Sequence, residues 1–411
     1  CSIPPKGRGF RERILLAQRP TFQEQIARIG SSSACHPAPG DARFRAMTAP
    51  ESPPSQADTP TDSGADAPAA RKPDRRRPAP AVPAPARTCW VVSEGMAGTE
   101  NQCLGLAEAL GFRPEIKRIR VRAPWRWLPP KAWWRPLAAL SHAGDRLAPP
   151  WPDVLIASGR KAAAPALAVR KASGGATFTV FVQAPPVDPA GFDAVVAPRH
   201  DDVTGANVVP VVGALTRVTR KRLDEAYRRF QPRVRDLPRP RVALLLGGSS
   251  KAHRLSAQTI GQLATDLQAM HARTGCSLLV TSSRRTGADN ARRLRDALAE
   301  VPHLFHEAGV SEGENPYFGF LAHADEIVVS SDSVTMACEA ATTGRPVQVV
   351  PLDGGKPKFD RFHAQLRGLG IARPFDGSLA GQAVQPLDET RRAAGKVKAW
   401  LDKHRARLAG R

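Results

Sequence analysis

Tyrosine is almost missing from this chain, with Tyr227 and Tyr317 the only two in 411 residues. Residue 231 is Gln and residue 321 is Leu, so neither tyrosine has a lysine four positions on. That excludes the Tyr-x3-Lys proton-transfer pair of nicotinamide-dependent sugar epimerases. Cysteine is also scarce. The six residues, at 1, 35, 89, 103, 276 and 338, form no CxxC pair and no disulfide framework. Those beyond residue 87 fall in strand or helix patterns and read as small core residues of a cytosolic protein. No apolar run approaches the roughly 18 residues of a membrane-spanning helix. Zinc-ligand spacing and RNA-recognition signatures are absent, which argues against nucleic acid as the partner. Acidic residues fall well short of basic ones, 38 against 60, for a net charge of +22. Residues 1–87 hold 14 of the basic and 8 of the acidic residues, so most of the surplus lies beyond them. Such a charge favours phosphorylated substrates, polyanions or anionic membrane surfaces.

Proline is plentiful but uneven, with fifteen of 39 before Thr88. Residues 1–87 read as a disordered Pro/Ala/Arg-rich extension, too poor in apolar groups to offset its ordering entropy. The first methionine is Met47, so residues 1–46 are expected to be an over-extended reading of the gene. Strand and helix patterns alternate from Thr88 onward. The expected architecture is two doubly wound α/β domains facing a cleft, 88–230 and 241–385, joined by a proline-rich linker, 231–240. A basic helix, 386–411, closes the chain.

The passage organising this reading is EIVVSSDSVTMACEAATTGRPVQVVPL, Glu326 to Leu352. A β-branched run, four helix-capping residues (Ser330, Ser331, Asp332, Ser333), a short helical pattern stopped by Gly344 and a second apolar run make a βαβ unit. Its turn places backbone N–H groups at a helix N-terminus, a setting that suits phosphate. Together with Thr335 and a second loop, Gly247-Gly248-Ser249-Ser250-Lys251, it forms the expected diphosphate site. Arg284 or Arg285 would neutralise charge there, and Glu339 would accept from a ribose diol. An ordinary, well-capped βαβ unit is the competing reading.

In the first domain the loop Glu94-Gly95-Met96-Ala97-Gly98-Thr99-Glu100-Asn101 follows the first strand, without the full Rossmann glycine spacing. Gly95, Gly98, Glu94, Glu100 and Asn101, with Arg160 and Lys161 at another helix start, form the expected acceptor-side loop. The two cations could equally be a solvated helix start. His200 with Asp201 follows a strand's carboxyl end and is the candidate general base, or merely a turn. No metal and no cofactor are called for, since cations and helix dipoles can stabilise a leaving diphosphate. Residues 117–135 interleave seven Lys/Arg and no acid with Trp125, Trp127, Trp133 and Trp134. Tryptophan beside arginine suits a lipid headgroup region, while rings that simply cover the sheet are the alternative.

The paired α/β domains, the Gly-Gly-Ser-Ser loop and Glu339-x4-Gly344-x-Pro346 resemble the GT-B glycosyltransferases. They are most similar to the lipid-linked N-acetylglucosaminyltransferase of peptidoglycan synthesis, which implies the ribose contact for Glu339. That family's first-loop histidine is missing here, with Thr99-Glu100-Asn101 in its place, so its acceptor chemistry is not carried over. A longer set of motifs, SEGMAGTENQ, QAPPVDPAGFDAVVAPRHDD, GGSSKAHRLS, GENPYFGFLAHADEIVVSSDSVTMACEA and TGRPVQVVP, resembles the ELM-type mitochondrial fission family over nearly all of 88–375. Its bacterial members are often labelled nucleoside-diphosphate-sugar epimerases, a label the tyrosine count opposes. Two functions are therefore expected. One is transfer of a sugar from a nucleotide-sugar to a membrane-linked or phosphorylated acceptor. The other is a non-catalytic scaffold at a membrane surface. Either would place the protein in the cytoplasm or peripherally on the inner face of the membrane.

Overall fold

The computed structural model describes residues 87–410. The disordered extension and the over-extended start expected for 1–87 lie outside the described residues, save for position 87. The described chain opens with β1 (Cys89–Ser93), α1 (Ala97–Ala109), β2 (Glu115–Arg118), β3 (Val154–Ser158) and α2 (Ala163–Ala172). It continues with β4 (Phe178–Val182), β5 (Ala194–Pro198), β6 (Val208–Val211) and α3 (Arg220–Val234). The second half runs β7 (Arg241–Leu246), β8 (His253–Arg254), α4 (Ala257–Thr274), β9 (Ser277–Ser282), α5 (Ala288–Ala297) and β10 (His303–Glu307). Then come α6 (Tyr317–His323), β11 (Glu326–Ser330), α7 (Val334–Thr342), β12 (Val347–Val350), β13 (Asp353–Gly354), α8 (Pro357–Gly368), β14 (Ala372–Pro374) and α9 (Glu389–Ala409).

Twelve strands make two parallel six-stranded sheets, in the orders β2-β1-β3-β4-β5-β6 and β10-β9-β7-β11-β12-β14, and β8 pairs antiparallel with β13. The expected GT-B-like fold class, two doubly wound sheets, is what the chain forms. Apolar runs such as CWVVS, VLIAS, RVALLL and EIVVS are buried along their whole length. Strands sandwiched between helix layers need apolar side chains on both faces, hence continuous rather than alternating runs. Counted within its own half, the second sheet has the order 3-2-1-4-5-6, which switches direction between β7 and β11. Ligand crevices in such sheets open beyond the carboxyl ends of the strands at that switch.

One boundary differs from expectation. The helix expected to stop before the 231–240 linker continues through Pro232 to Val234. It packs on α6 of the second half, where Tyr227 stacks on His323 at 4.1 Å. A Cβ at Gly319 would stand 2.4 Å from Phe230 Cγ, so the two helices meet closely only because Gly319 has none. Packing of this kind outweighs the local cost of the proline. The C-terminal α9 returns to the first half, where its Ala393, Val397 and Leu401 join Leu104, Leu106 and Ala107 in one cluster. Val397 and Leu401 are almost fully buried, and each contributes roughly 1.5–3 kcal/mol to that docking. The outgoing and returning crossings are tied where the Val212 N–H donates to Glu389 Oε2 at 2.8 Å and the Thr216 N–H to Thr390 Oγ1 at 2.8 Å.

Candidate functional site: a cavity between the two sheets

At the second sheet's switch point, the loop after β7 meets the loop after β11. The Gly247 N–H donates to Ser330 Oγ at 2.7 Å, and the Gly248 N–H to Asp332 Oδ2 at 3.1 Å. Ser330 donates to Asp332 Oδ1 at 2.7 Å, and Arg285 pairs with Oδ2 at 2.8 Å. A Cβ on Gly247 would lie 2.3 Å from Asp332 Oδ1, so only glycine admits the carboxylate. The Ser249 N–H is taken by the Arg285 carbonyl and the Ser250 N–H by the His253 carbonyl. The diphosphate expected along Gly247–Ser250 would have to displace these contacts. The inner amides already hold the protein's own carboxylate, and Arg285 is committed to it. A glycine loop reads the same in sequence whether its amides meet a ligand or a buried Asp332. Lys251 and Arg284 stand exposed beside this loop.

The rest of the expected donor site fares differently. Ser331 is tied into the strand end, its Oγ accepting the Leu352 N–H at 3.0 Å. Ser333 caps α7, accepting the Met336 N–H at 3.4 Å, and leaves Val334 and Thr335 facing an open cavity. Glu339 is buried deeper on α7, where the Tyr317 hydroxyl donates to its Oε2 at 2.6 Å. Burial raises the Glu339 carboxyl to about 7, and the bond from Tyr317 opposes that rise. Its Oε1 takes no hydrogen bond among the described residues.

The cavity measures about 390 Å³ and lies between the halves. Gln102, Gln183, His200 and Asp201 line it from the first half, and Thr335, Lys358 and Phe359 from the second. Two helix starts, those of α7 and α8, therefore face one space, which Lys358 in the first turn of α8 also lines. His200 is 4% exposed, its Nδ1 is buried without a partner, and its ring packs edge-on against Phe362 at 5.6 Å. Burial lowers its basicity below that of an ordinary imidazole. Asp201 opposes this shift, and Lys358 and Arg361 add to it. The ring is thus neutral at pH 7, the state a general base requires. Asp201 is not bonded to His200 as a catalytic pair would be; its Oδ1 faces Lys358 Nζ at 3.4 Å.

Gln183 is the residue sequence reasoning missed most completely. It holds φ = +80°, one of only two non-glycine residues with positive φ among the described residues. Such strain costs about 1–3 kcal/mol and persists where surrounding structure enforces it, often at ligand sites. Lys358 and Phe359 were also missed, although Pro357 at the start of a helix is a legible first-turn signal.

The acceptor-side loop is mostly locked. Glu94 Oε1 accepts the Lys161 N–H at 3.0 Å, and its Oε2 meets Lys161 Nζ at 3.0 Å. The anion place expected at Arg160 and Lys161 is thus filled by a carboxylate of the same chain. Arg118 grips Glu100 with two bonds, of 2.7 and 3.0 Å, and with Ser93 holds that carboxyl below the usual range against its burial. Gly95 turns at φ = +83°, and Asn101 Oδ1 accepts from Arg217 at 3.4 Å. Gly98 alone approaches the second half, a Cβ built on it lying 3.9 Å from Thr335 Oγ1.

The tryptophans divide. Trp133 is buried against Ala139 and Ala164, and Trp125 is half-buried beside it. Trp127 and Trp134 are 65% and 66% exposed. The Arg126 guanidinium lies over the Trp127 ring at 4.4 Å and that of Arg122 over Trp125 at 5.3 Å. Arg122, Arg126, Lys131 and Arg135 form no ion pair among the described residues. Arg160 links the patch to the start of α2, its guanidinium donating to the Leu128 carbonyl at 3.5 Å.

Among known proteins, the family model described as mitochondrial fission ELM1 matches residues 97–401. The mitochondrial fission protein ELM1 of Arabidopsis thaliana is 26% identical over 392 residues, covering 77% of this chain and 91% of that protein. Two solved structures align over most of the chain, each at 14% identity. A putative UDP-N-acetylglucosamine 2-epimerase from Listeria monocytogenes aligns with TM-score 0.45, covering 78% of this chain and 98% of that one. MurG of Acinetobacter baumannii aligns with TM-score 0.40, covering 77% and 95%.

Proposed function

The chain belongs to the mitochondrial fission ELM1 family, and from that footing we propose that it binds a nucleotide-sugar in the cavity between its sheets and transfers the sugar to a membrane-linked or phosphorylated acceptor. The observation carrying this reading is the convergence of the α7 and α8 N-termini and Lys358 opposite a neutral, buried His200. A diphosphate on Thr335 and Lys358 would accept the free N–H groups of both helices. Glu339 Oε1 is the oxygen left for a ribose hydroxyl. In the transfer, His200 removes the acceptor hydroxyl proton and the acceptor oxygen bonds to the anomeric carbon. The bond from that carbon to the diphosphate breaks, and its electrons leave with the phosphate, whose charge Lys358 and the helix termini stabilise.

The exposed Trp134 and Trp127, the latter under Arg126, which forms no ion pair among the described residues, support an acceptor presented at an anionic membrane surface. A second reading, a scaffold without catalysis at that surface, is favoured by the unoriented Nδ1 of His200 and the locked Glu94 and Glu100. A thermal-shift screen of nucleotide-sugars tests the main reading, because a ligand of the folded state raises the melting temperature. Stabilisation by one sugar nucleotide above its bare nucleoside supports it; a flat screen would sink it.

A further inference from the structure

Three contacts cross the cavity's rim from the turn after β5 to α8. Lys358 Nζ lies 3.4 Å from Asp201 Oδ1, Arg361 donates to the His200 carbonyl at 2.7 Å, and Arg361 lies 3.1 Å from Asp202 Oδ2. The charges facing His200 are thus Asp201 and Asp202 on its own turn and Lys358 and Arg361 on α8. Val334, Thr335, Gln102 and Gln183, which face the cavity from the other elements, carry no charge.

The two bridges from α8 are not equivalent. Arg361 is held by a backbone carbonyl as well as a carboxylate, so it fixes the turn to the helix. Lys358 has one long ion-pair contact and lies 5.5 Å over the Phe359 ring, its side chain is 45% exposed, and it lines the cavity where an anion would enter. An ion pair so exposed is weak, and a dianion seated at two helix N-termini is a stronger partner for the same ammonium.

We propose that Lys358 exchanges partners: a diphosphate bound in the cavity takes its ammonium from Asp201, and the released carboxylate makes His200 a stronger base. The exchange rests on the donor-site reading above and adds to it an order of events. Before the donor binds, Asp201 is spent on Lys358, and the ammonium holds the imidazole's basicity down. Once phosphate neutralises Lys358, the freed Asp201 acts on the ring, and the imidazolium formed by taking the acceptor proton is stabilised. Lys358 and Asp201 are positioning residues in this scheme, and His200 is the catalytic one.

The test is an NMR pH titration of the full chain carrying ring-labelled histidine, with the His200 signal assigned by its loss in His200→Gln. Without ligand, Lys358→Gln should raise the His200 pKa by half a unit or more. Lys358→Arg should keep it near wild type, and Asp201→Asn should lower it. Millimolar inorganic pyrophosphate should raise it in wild type and leave Lys358→Gln unmoved. A His200 pKa indifferent to Lys358→Gln would overturn the proposal, as would equal pyrophosphate shifts in both proteins or none in wild type. Because pyrophosphate carries no nucleoside or sugar, its effect stands or falls apart from the nucleotide-sugar reading, which the thermal screen decides.

Discussion

Gly213 lies against Cys338 so closely that a Cβ on it would sit 2.3 Å from the sulfur, and 2.4 Å from Phe362 Cε2. The glycine follows β6, the last strand of the first sheet, Cys338 belongs to α7 and Phe362 to α8, so one contact joins the outgoing crossing to both helices that face the cavity. Its φ of +67° adds a backbone reason for glycine. Gly213→Ala should cost about 2–4 kcal/mol, combining left-handed strain with overpacking. Gly111→Ala supplies the control, since Gly111 has φ = +85° but open space around it. That variant should lose only the strain, about 1–2 kcal/mol. Urea unfolding of the two variants decides it, and equal losses would mean the crossing is not tightly packed.

Glu339 makes stability depend on pH. Its folded pKa, about 7, lies above that of an unfolded glutamate, so its contribution is fully present below about pH 4 and is lost as pH rises through 7. Glu339→Gln cannot ionise. It should therefore gain on wild type by a few kcal/mol between pH 5 and pH 8. Denaturant unfolding at both values reads the difference, and a gap that does not change with pH contradicts the burial of an ionisable Glu339.

Trp127 and Trp134 should matter to membrane binding and not to folding, because both face solvent. The double variant Trp127→Ala, Trp134→Ala should keep its melting temperature and lose most of its flotation with anionic liposomes at low salt. Trp133→Ala, by contrast, opens a buried site and should cost about 3–5 kcal/mol. Wild-type protein that ignores anionic liposomes would leave the two exposed rings without a membrane role.

Much of the fold was legible because buried parallel strands leave continuous apolar runs such as Val242–Leu246 and Ile327–Val329, which no helix period explains. The end of α3 was not legible. Pro232 signals a break locally, and only the packing of Phe230 over Gly319 carries the helix past it. At the site, His200, Asp201 and Thr335 were found from their places after strand ends and at a helix start. Lys358 and Gln183 were not, since each joins the cavity through tertiary placement: one from a helix far along the chain, the other through an unusual backbone angle. Nor was the present occupant of the Gly247 loop legible, because sequence cannot show that Asp332, 85 residues later, folds its carboxylate into the cradle.

A nucleotide-sugar bound between the sheets, against the starts of α7 and α8, would shield both helix starts from solvent. Hydrogen–deuterium exchange measured with each nucleotide-sugar of the screen at millimolar concentration tests it most directly. Protection is expected at residues 333–336 and 356–360, with a lesser effect at 198–202 across the cavity. Protection confined to 247–251, or none with any donor, would contradict it.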